Sequence, residues 1–114
     1  MFGSAQAQDD VESLVVLPDD AQKCVMPASP DAIPEGATLD QLKKAKSDVA
    51  DFQGQIEAYR GCLQAAEANP DNTEGNNAAI VQSYNYTVEM EERVAGRFNE
   101  AVRDYKERKA AADG

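Results

Sequence analysis

The side chains best suited to chemistry in this sequence are two cysteines, Cys24 and Cys62, and one glutamate, Glu91. The 114 residues include no histidine, so the commonest general base and metal ligand is missing. Two thiolates do not complete a zinc site, because zinc takes four ligands and no others stand near them in the sequence. We therefore expect a disulfide between Cys24 and Cys62. Two free thiols or an intermolecular bridge are the alternatives.

Motifs typical of an enzyme are missing as well. There is no Ser-His-Asp or Cys-His set and no glycine-rich phosphate loop, so we predict no catalytic residue, no cofactor, no metal site and no enzymatic activity. The acidic and amide residues 71–77 lack the spacing of a calcium loop and read as a turn. A net charge of −10 argues against binding of nucleic acid, which requires basic residues, and leaves a small-ligand or cation-binding module as one possibility.

The elements that would position these residues are two long helices. Over residues 38–68, apolar residues recur in alternating steps of three and four, which is a heptad pattern. Thr38 and Gln41 have the spacing of a capping box, and Asn69-Pro70 should end the helix. The apolar row of this first helix consists of Leu42, Ala45, Val49, Phe52, Ile56, Tyr59, Leu63 and Ala66.

A second helix is predicted over residues 77–109. Its apolar row is Val81, Tyr84, Val88, Glu91, Ala95, Phe98, Val102 and Tyr105, and a parallel row of Ile80, Thr87, Val94 and Ala101 widens it. Such a broad stripe exceeds what one helix covers, so we expect contact with a second neighbour, either the N-terminal arm or another subunit. The predicted interaction residues are Val81, Tyr84, Val88, Glu91, Val94, Phe98, Val102 and Tyr105.

Glu91 is the one charged residue in that row. If it were buried it could serve as a general acid or a ligand. A salt bridge with a partner, or a polar residue that sets helix register, is the interpretation we favour. Arg60 would lie within one or two helical turns of it.

Together these patterns predict an all-α fold: an antiparallel, coiled-coil-like two-helix hairpin over residues 38–109. Residues 8–37 form an acidic, proline-rich arm, expected to be extended and pinned along the first helix by the disulfide. Residues 1–7 contain Ala5-Gln6-Ala7, a small-residue pattern that we interpret as the remnant of a signal peptide. Residues 110–114 should fray. The longest apolar run, 14–17, is too short to span a bilayer, so no membrane insertion is expected.

A short stretch of the arm resembles the TonB box of outer-membrane TonB-dependent receptors. The matching residues are Val11, Glu12, Leu14, Val15 and Val16, which follow an acidic pair. In that family the segment adds as a strand to the periplasmic protein TonB, so the resemblance implies a strand donor within residues 11–17. The alternative is that Leu14, Val15 and Leu17 fold back onto the helices.

Residues 24–108 also resemble small, uncharacterised exported proteins of proteobacteria. The resemblance is carried by a Cys-x-x-Pro arm, by residues 33–38 (Ile-Pro-Glu-Gly-Ala-Thr), by Phe52-Gln53 and by residues 56–63. It implies a periplasmic helical hairpin and assigns no activity or binding residue. We therefore expect a non-enzymatic periplasmic protein that acts in protein–protein interaction or as a structural module, through a protein partner or self-association. A TonB-coupled envelope accessory is the alternative.

Overall fold

The computed structural model describes residues 13–113, which contain three α-helices and no β-strand. Helix α1 is a single turn, Asp19–Gln22. Helices α2, Leu39–Glu67, and α3, Glu74–Asp113, are long and pack together as a hairpin through the connection 68–73. The predicted all-α hairpin is therefore confirmed. The described residues divide into two compact units: unit 1 comprises 13–26 and 58–87, and unit 2 comprises 27–57 and 88–113.

Helix α2 begins at the predicted capping box. The Thr38 backbone N–H donates to Gln41 Oε1 at 2.9 Å, and the Gln41 N–H donates to Thr38 Oγ1 at 3.2 Å. Two helix-terminal donors are thereby satisfied reciprocally. The turn before it needs Gly36, whose φ of +67° is a conformation that other residues rarely adopt.

Helix α3 is longer than predicted at both ends. It begins at Glu74 and not at residue 77, because Thr73 and Asn76 form a second capping box, with both N–H···O distances at 3.0 Å. It continues to Asp113, beyond the predicted end at residue 109 and into the segment where fraying was predicted. Three consecutive alanines, 110–112, account for the extension, because alanine has the highest helix propensity.

The core of the hairpin contains the predicted apolar row of α2. Seven of its eight members are buried and Val49 is half-buried: Leu42, Ala45, Phe52, Ile56, Tyr59, Leu63 and Ala66 lie inside. The heptad pattern thus identified the buried face of this helix correctly. Burial of this row is the main apolar contribution of α2 to stability.

The N-terminal arm was predicted to be extended, but it contains the helical turn α1. Pro18 takes an extended conformation (φ −68°, ψ 161°) immediately before α1, and Asp19 and Asp20 follow in the first turn, where negative charge is favourable. Residues 25–34 have no regular structure, which agrees with prolines at 27, 30 and 34. Hereafter residues 13–26, the part of the arm in unit 1, are called the strap.

Candidate functional site

The predicted disulfide between Cys24 and Cys62 is present. Their Cα atoms are 5.7 Å apart, and the bridge joins the strap to α2 across a sequence separation of 38 residues. Both cysteines are half-buried, so the bridge lies at the margin of unit 1. The described chain contains no free thiol.

Beside the disulfide, the strap covers an apolar cluster that we call the unit 1 cluster. Its buried members are Ala21 of the strap, Tyr59, Leu63 and Ala66 of α2, and Ile80 of α3. Leu17 and Cys24 of the strap and Tyr84 of α3 pack against it and are partly buried. The strap therefore acts as the third side of a small core formed otherwise by two helices, and Ala21, only 1% exposed, is its most buried side chain.

Polar side chains of the helix connection and of the first turn of α3 also contact the strap. Asn76 Nδ2 donates to the Val16 carbonyl at 2.8 Å, and Asn69 Nδ2 lies 3.4 Å from Asp20 Oδ2. The Leu14 backbone passes directly over Gly75, where a Cβ would overlap the Leu14 carbonyl oxygen. Gly75 is thus required for the close approach of two backbones.

The candidate strand donor is described only in part. Val11 and Glu12 lie outside the described residues, whereas Leu14, Val15 and Val16 are 55%, 50% and 53% exposed. The Val16 N–H donates to the Leu14 carbonyl at 3.0 Å, a tight turn that departs from an extended strand. The alternative, that Leu14, Val15 and Leu17 fold back onto the helices, is confirmed for Leu17, which packs on the unit 1 cluster, and is wrong for the other two.

In unit 1, helix α3 does not bury the apolar row that was predicted to be its central one, which contains Val81. It buries the neighbouring row instead. Ile80 and Thr87 are 1% and 0% exposed, whereas Val81 is 49% exposed. The two rows are one residue apart in sequence, which is about 100° around the helix. In unit 1 the buried row is the one that contains Ile80 and Thr87, which was predicted only to widen the central row. Tyr84 is half-buried between them.

Val81 and Tyr84, from the row predicted as central, line an open groove of about 520 Å³ in unit 1, which we call the α3 groove. Its walls mix apolar and uncharged polar groups with one carboxylate. They consist of Gln64, Glu67 and Ala68 at the end of α2 and Val81, Tyr84 and Asn85 of α3. Within the groove, Val81 is 49% exposed and the neighbouring Tyr84 is half-buried.

A polar contact that the sequence interpretation did not identify lies inside unit 1. Arg60 Nε donates to Thr87 Oγ1 at 2.9 Å, and the Thr87 hydroxyl donates to the Tyr84 carbonyl. The Arg60 guanidinium also lies over the Tyr84 ring, 5.2 Å from its centroid. A threonine in an apolar row was the available signal, since a buried hydroxyl must find hydrogen-bond partners.

The remaining predicted interaction residues lie in unit 2 or at its surface. Val94 is buried with Met90 against Phe52 and Ile56, so it is not available to a partner. Val88 is 37% exposed. The other four are half-buried: Glu91, Phe98, Val102 and Tyr105.

Unit 2 also holds two contacts of basic residues. Arg108 Nη2 donates to the Ala37 carbonyl at 3.0 Å and its guanidinium lies 5.7 Å from the Tyr105 ring centroid. Lys44 Nζ and Asp48 Oδ2 are 2.7 Å apart, and this hydrogen bond and ion pair raise the pKa of Lys44 above its ordinary value. The first contact joins α3 to the turn before α2, and the second joins two residues one helical turn apart on α2.

Residues 13–113 contain no group of three or more Cys, Asp or Glu side chains placed to hold a metal ion. In the same part of the chain, neither long helix is apolar enough over its length to cross a membrane. Comparison with protein-family models, with curated proteins and with solved structures found no match for this sequence.

Proposed function

We propose that this chain is a non-enzymatic, exported interaction module that binds a protein through the α3 groove. The observation that carries the proposal is the exposure of Val81 beside Tyr84 in an open groove of about 520 Å³. The strap occupies one side of the unit 1 hairpin, and this groove is on a part that it leaves uncovered. Aromatic and aliphatic side chains with a polar rim that carries a single charge, Glu67, favour a protein ligand over a charged small molecule.

Export to an oxidising compartment is supported by the Cys24–Cys62 disulfide, since such bonds persist in secreted and periplasmic proteins and are rare in the cytosol. The periplasm is the compartment that agrees with the resemblance of residues 24–108. Expression with and without an export signal, followed by alkylation of free thiols and intact-mass measurement, tests this part. Full oxidation in the cytosol as well would remove the argument for export.

The groove is tested by site-specific photo-crosslinking. A benzoylphenylalanine at Val81 should form a crosslinked species in cells, whereas the same residue at Gln82, which is exposed but outside the groove, should not. Mass spectrometry of the product separates a second copy of this chain from another protein. Light scattering at two concentrations gives an independent check of self-association. Equal crosslinking at both positions, or none at either, would refute binding through the groove.

A second candidate function is strand donation to TonB by residues 11–17. The observation that favours it is the half-exposed row Leu14, Val15 and Val16. In the described conformation Asn76 occupies the Val16 carbonyl, so donation would require this hydrogen bond to break. A peptide of residues 8–20 should then bind the C-terminal domain of TonB, and Val15→Asp should abolish that binding. Failure to bind at millimolar peptide would refute the candidate.

A further inference from the structure

We propose that the Cys24–Cys62 disulfide is a redox latch. Its reduction would release the strap from the unit 1 cluster while the two long helices persist. This inference concerns the surface beneath the strap and does not depend on the α3 groove. It rests on what holds the strap, on what lies under it and on the position of the bridge.

The non-covalent attachment of the strap is slight for a segment of 14 residues. Ala21 is the strap's one fully buried side chain, and Leu17 and Cys24 are partly buried. Hydrogen bonds from Asn69 and Asn76 reach it, and the Leu14 backbone packs on Gly75. Helix α1 has a single turn, with the Gln22 N–H bonded to the Pro18 carbonyl and the Cys24 N–H to the Ala21 carbonyl. Helices this short do not persist without tertiary support.

The α2–α3 hairpin of unit 1 is held by hydrogen bonds that involve no strap residue. The Thr73–Asn76 capping box begins α3, and Asn72 Nδ2 donates to the Ala66 carbonyl at the end of α2. The Arg60–Thr87 hydrogen bond joins the two helices without any strap residue. The helices therefore keep their mutual contacts when the strap leaves.

Release of the strap would uncover apolar side chains that are now shielded. Tyr59, Leu63, Ala66 and Ile80 are each no more than 5% exposed, and Ala21 is their neighbour on the strap side. Their partial exposure would create a second apolar surface in unit 1, distinct from the α3 groove.

The position of the bridge makes it accessible to reductant, because both cysteines are half-buried. A dithiol attacks one sulfur through its thiolate, the S–S bond breaks and a mixed disulfide forms. The second thiolate of the dithiol then displaces the remaining cysteine sulfur. Two electrons pass to the bridge, Cys24 and Cys62 take up two protons as thiols, and the reductant leaves as a cyclic disulfide.

Hydrogen exchange of the full chain, oxidised and after treatment with dithiothreitol, tests the latch. The Gln22 and Cys24 amides should exchange at least about tenfold faster after reduction, whereas amides in the middle of α2 should change by less than about threefold. The double variant Cys24→Ala, Cys62→Ala should behave like the reduced protein with or without reductant. Reoxidation of the wild type should restore slow exchange.

Two results would overturn the proposal. If the strap amides keep their slow exchange after reduction, the non-covalent contacts suffice and the bridge is no latch. If strap and α2 amides accelerate equally and helical circular dichroism is lost, reduction unfolds the whole chain. As a second readout, fluorescence of an apolar dye should rise on reduction and fall on reoxidation, and no change would contradict exposure of the cluster.

Discussion

Replacing Gly75 with alanine tests how closely the strap is seated on α3. A Cβ at this position would overlap the Leu14 carbonyl oxygen and lie 2.5 Å from its carbon and 3.0 Å from the Ser13 carbonyl carbon. These are backbone atoms, so no side-chain rotation relieves the overlap. The strap must move outward instead, and the hydrogen bond from Asn76 to the Val16 carbonyl is the first contact affected.

The expected magnitude follows from opposing contributions. Overpacking typically costs about 1–3 kcal/mol, and loss of one hydrogen bond costs about 1 kcal/mol. The higher helix propensity of alanine raises the free energy of unfolding by up to about 1 kcal/mol and offsets part of this cost. We therefore expect Gly75→Ala to lower the free energy of unfolding by about 1–3 kcal/mol.

Gly61→Ala is the matched control, because Gly61 is a helical, exposed residue of the same unit with no atom within 4 Å of its added Cβ. It should raise the free energy of unfolding by about 0.5–1 kcal/mol through helix propensity alone. Urea titration followed by circular dichroism measures both variants, at fixed redox state. The two substitutions are chemically the same, so their opposite signs would isolate the contact with the strap.

The Cys24→Ala, Cys62→Ala background provides a second comparison. With the strap released, the overlap at Gly75 has no partner, so Gly75→Ala should become neutral or slightly stabilising there. If Gly75→Ala stabilises the oxidised wild type as much as Gly61→Ala does, the strap does not lie over Gly75 and the reasoning fails. An equal loss in both backgrounds would show that the effect arises within the helix.

Three further outcomes are expected. Thr38→Ala should lower the free energy of unfolding by about 1 kcal/mol in urea titration because it removes the N-cap oxygen of α2, whereas Thr38→Ser should stay within a few tenths; equal losses would contradict the capping box. Thr87→Val should cost about 1–2 kcal/mol by removing the acceptor of Arg60, and Thr87→Ser should retain the hydrogen bond; no difference between them would contradict its role. The pKa of Lys44 is raised in the folded state, so its small stabilising effect should be present below the ordinary value of 10.5 and be lost as pH rises through the folded value. An NMR titration should show Asp48→Asn lowering that pKa, and an unchanged pKa would contradict the ion pair.

Local sequence signals were sufficient for one helix and insufficient for the details of the other. The apolar row of α2 and its Thr38 capping box follow from neighbours three or four residues apart, and both are confirmed. On α3, two apolar rows one residue apart compete. The choice between Val81 and Ile80 as the buried residue depends on where α2 and the strap lie, which no local pattern contains.

The candidate site shows the same division. The disulfide was predicted from two cysteines in a chain without histidine that is interpreted as exported, whereas the α3 groove depends on the rotation of α3 about its own axis. The Arg60–Thr87 hydrogen bond joins residues 27 positions apart and depends on that rotation too. Met90 was not predicted as core, although it lies three residues after Thr87 on the buried row.

By itself, the sequence determined that this protein is an all-α hairpin and favoured one disulfide, because helix periodicity, capping and the count of cysteines are local or compositional properties. Only the tertiary structure decided which face of α3 is buried, that Ala21 and Leu17 complete the unit 1 cluster, and that Gly75 admits the Leu14 backbone. These features depend on packing between segments distant in the chain. Several arrangements satisfy the same apolar pattern, and steric fit between those segments selects one of them.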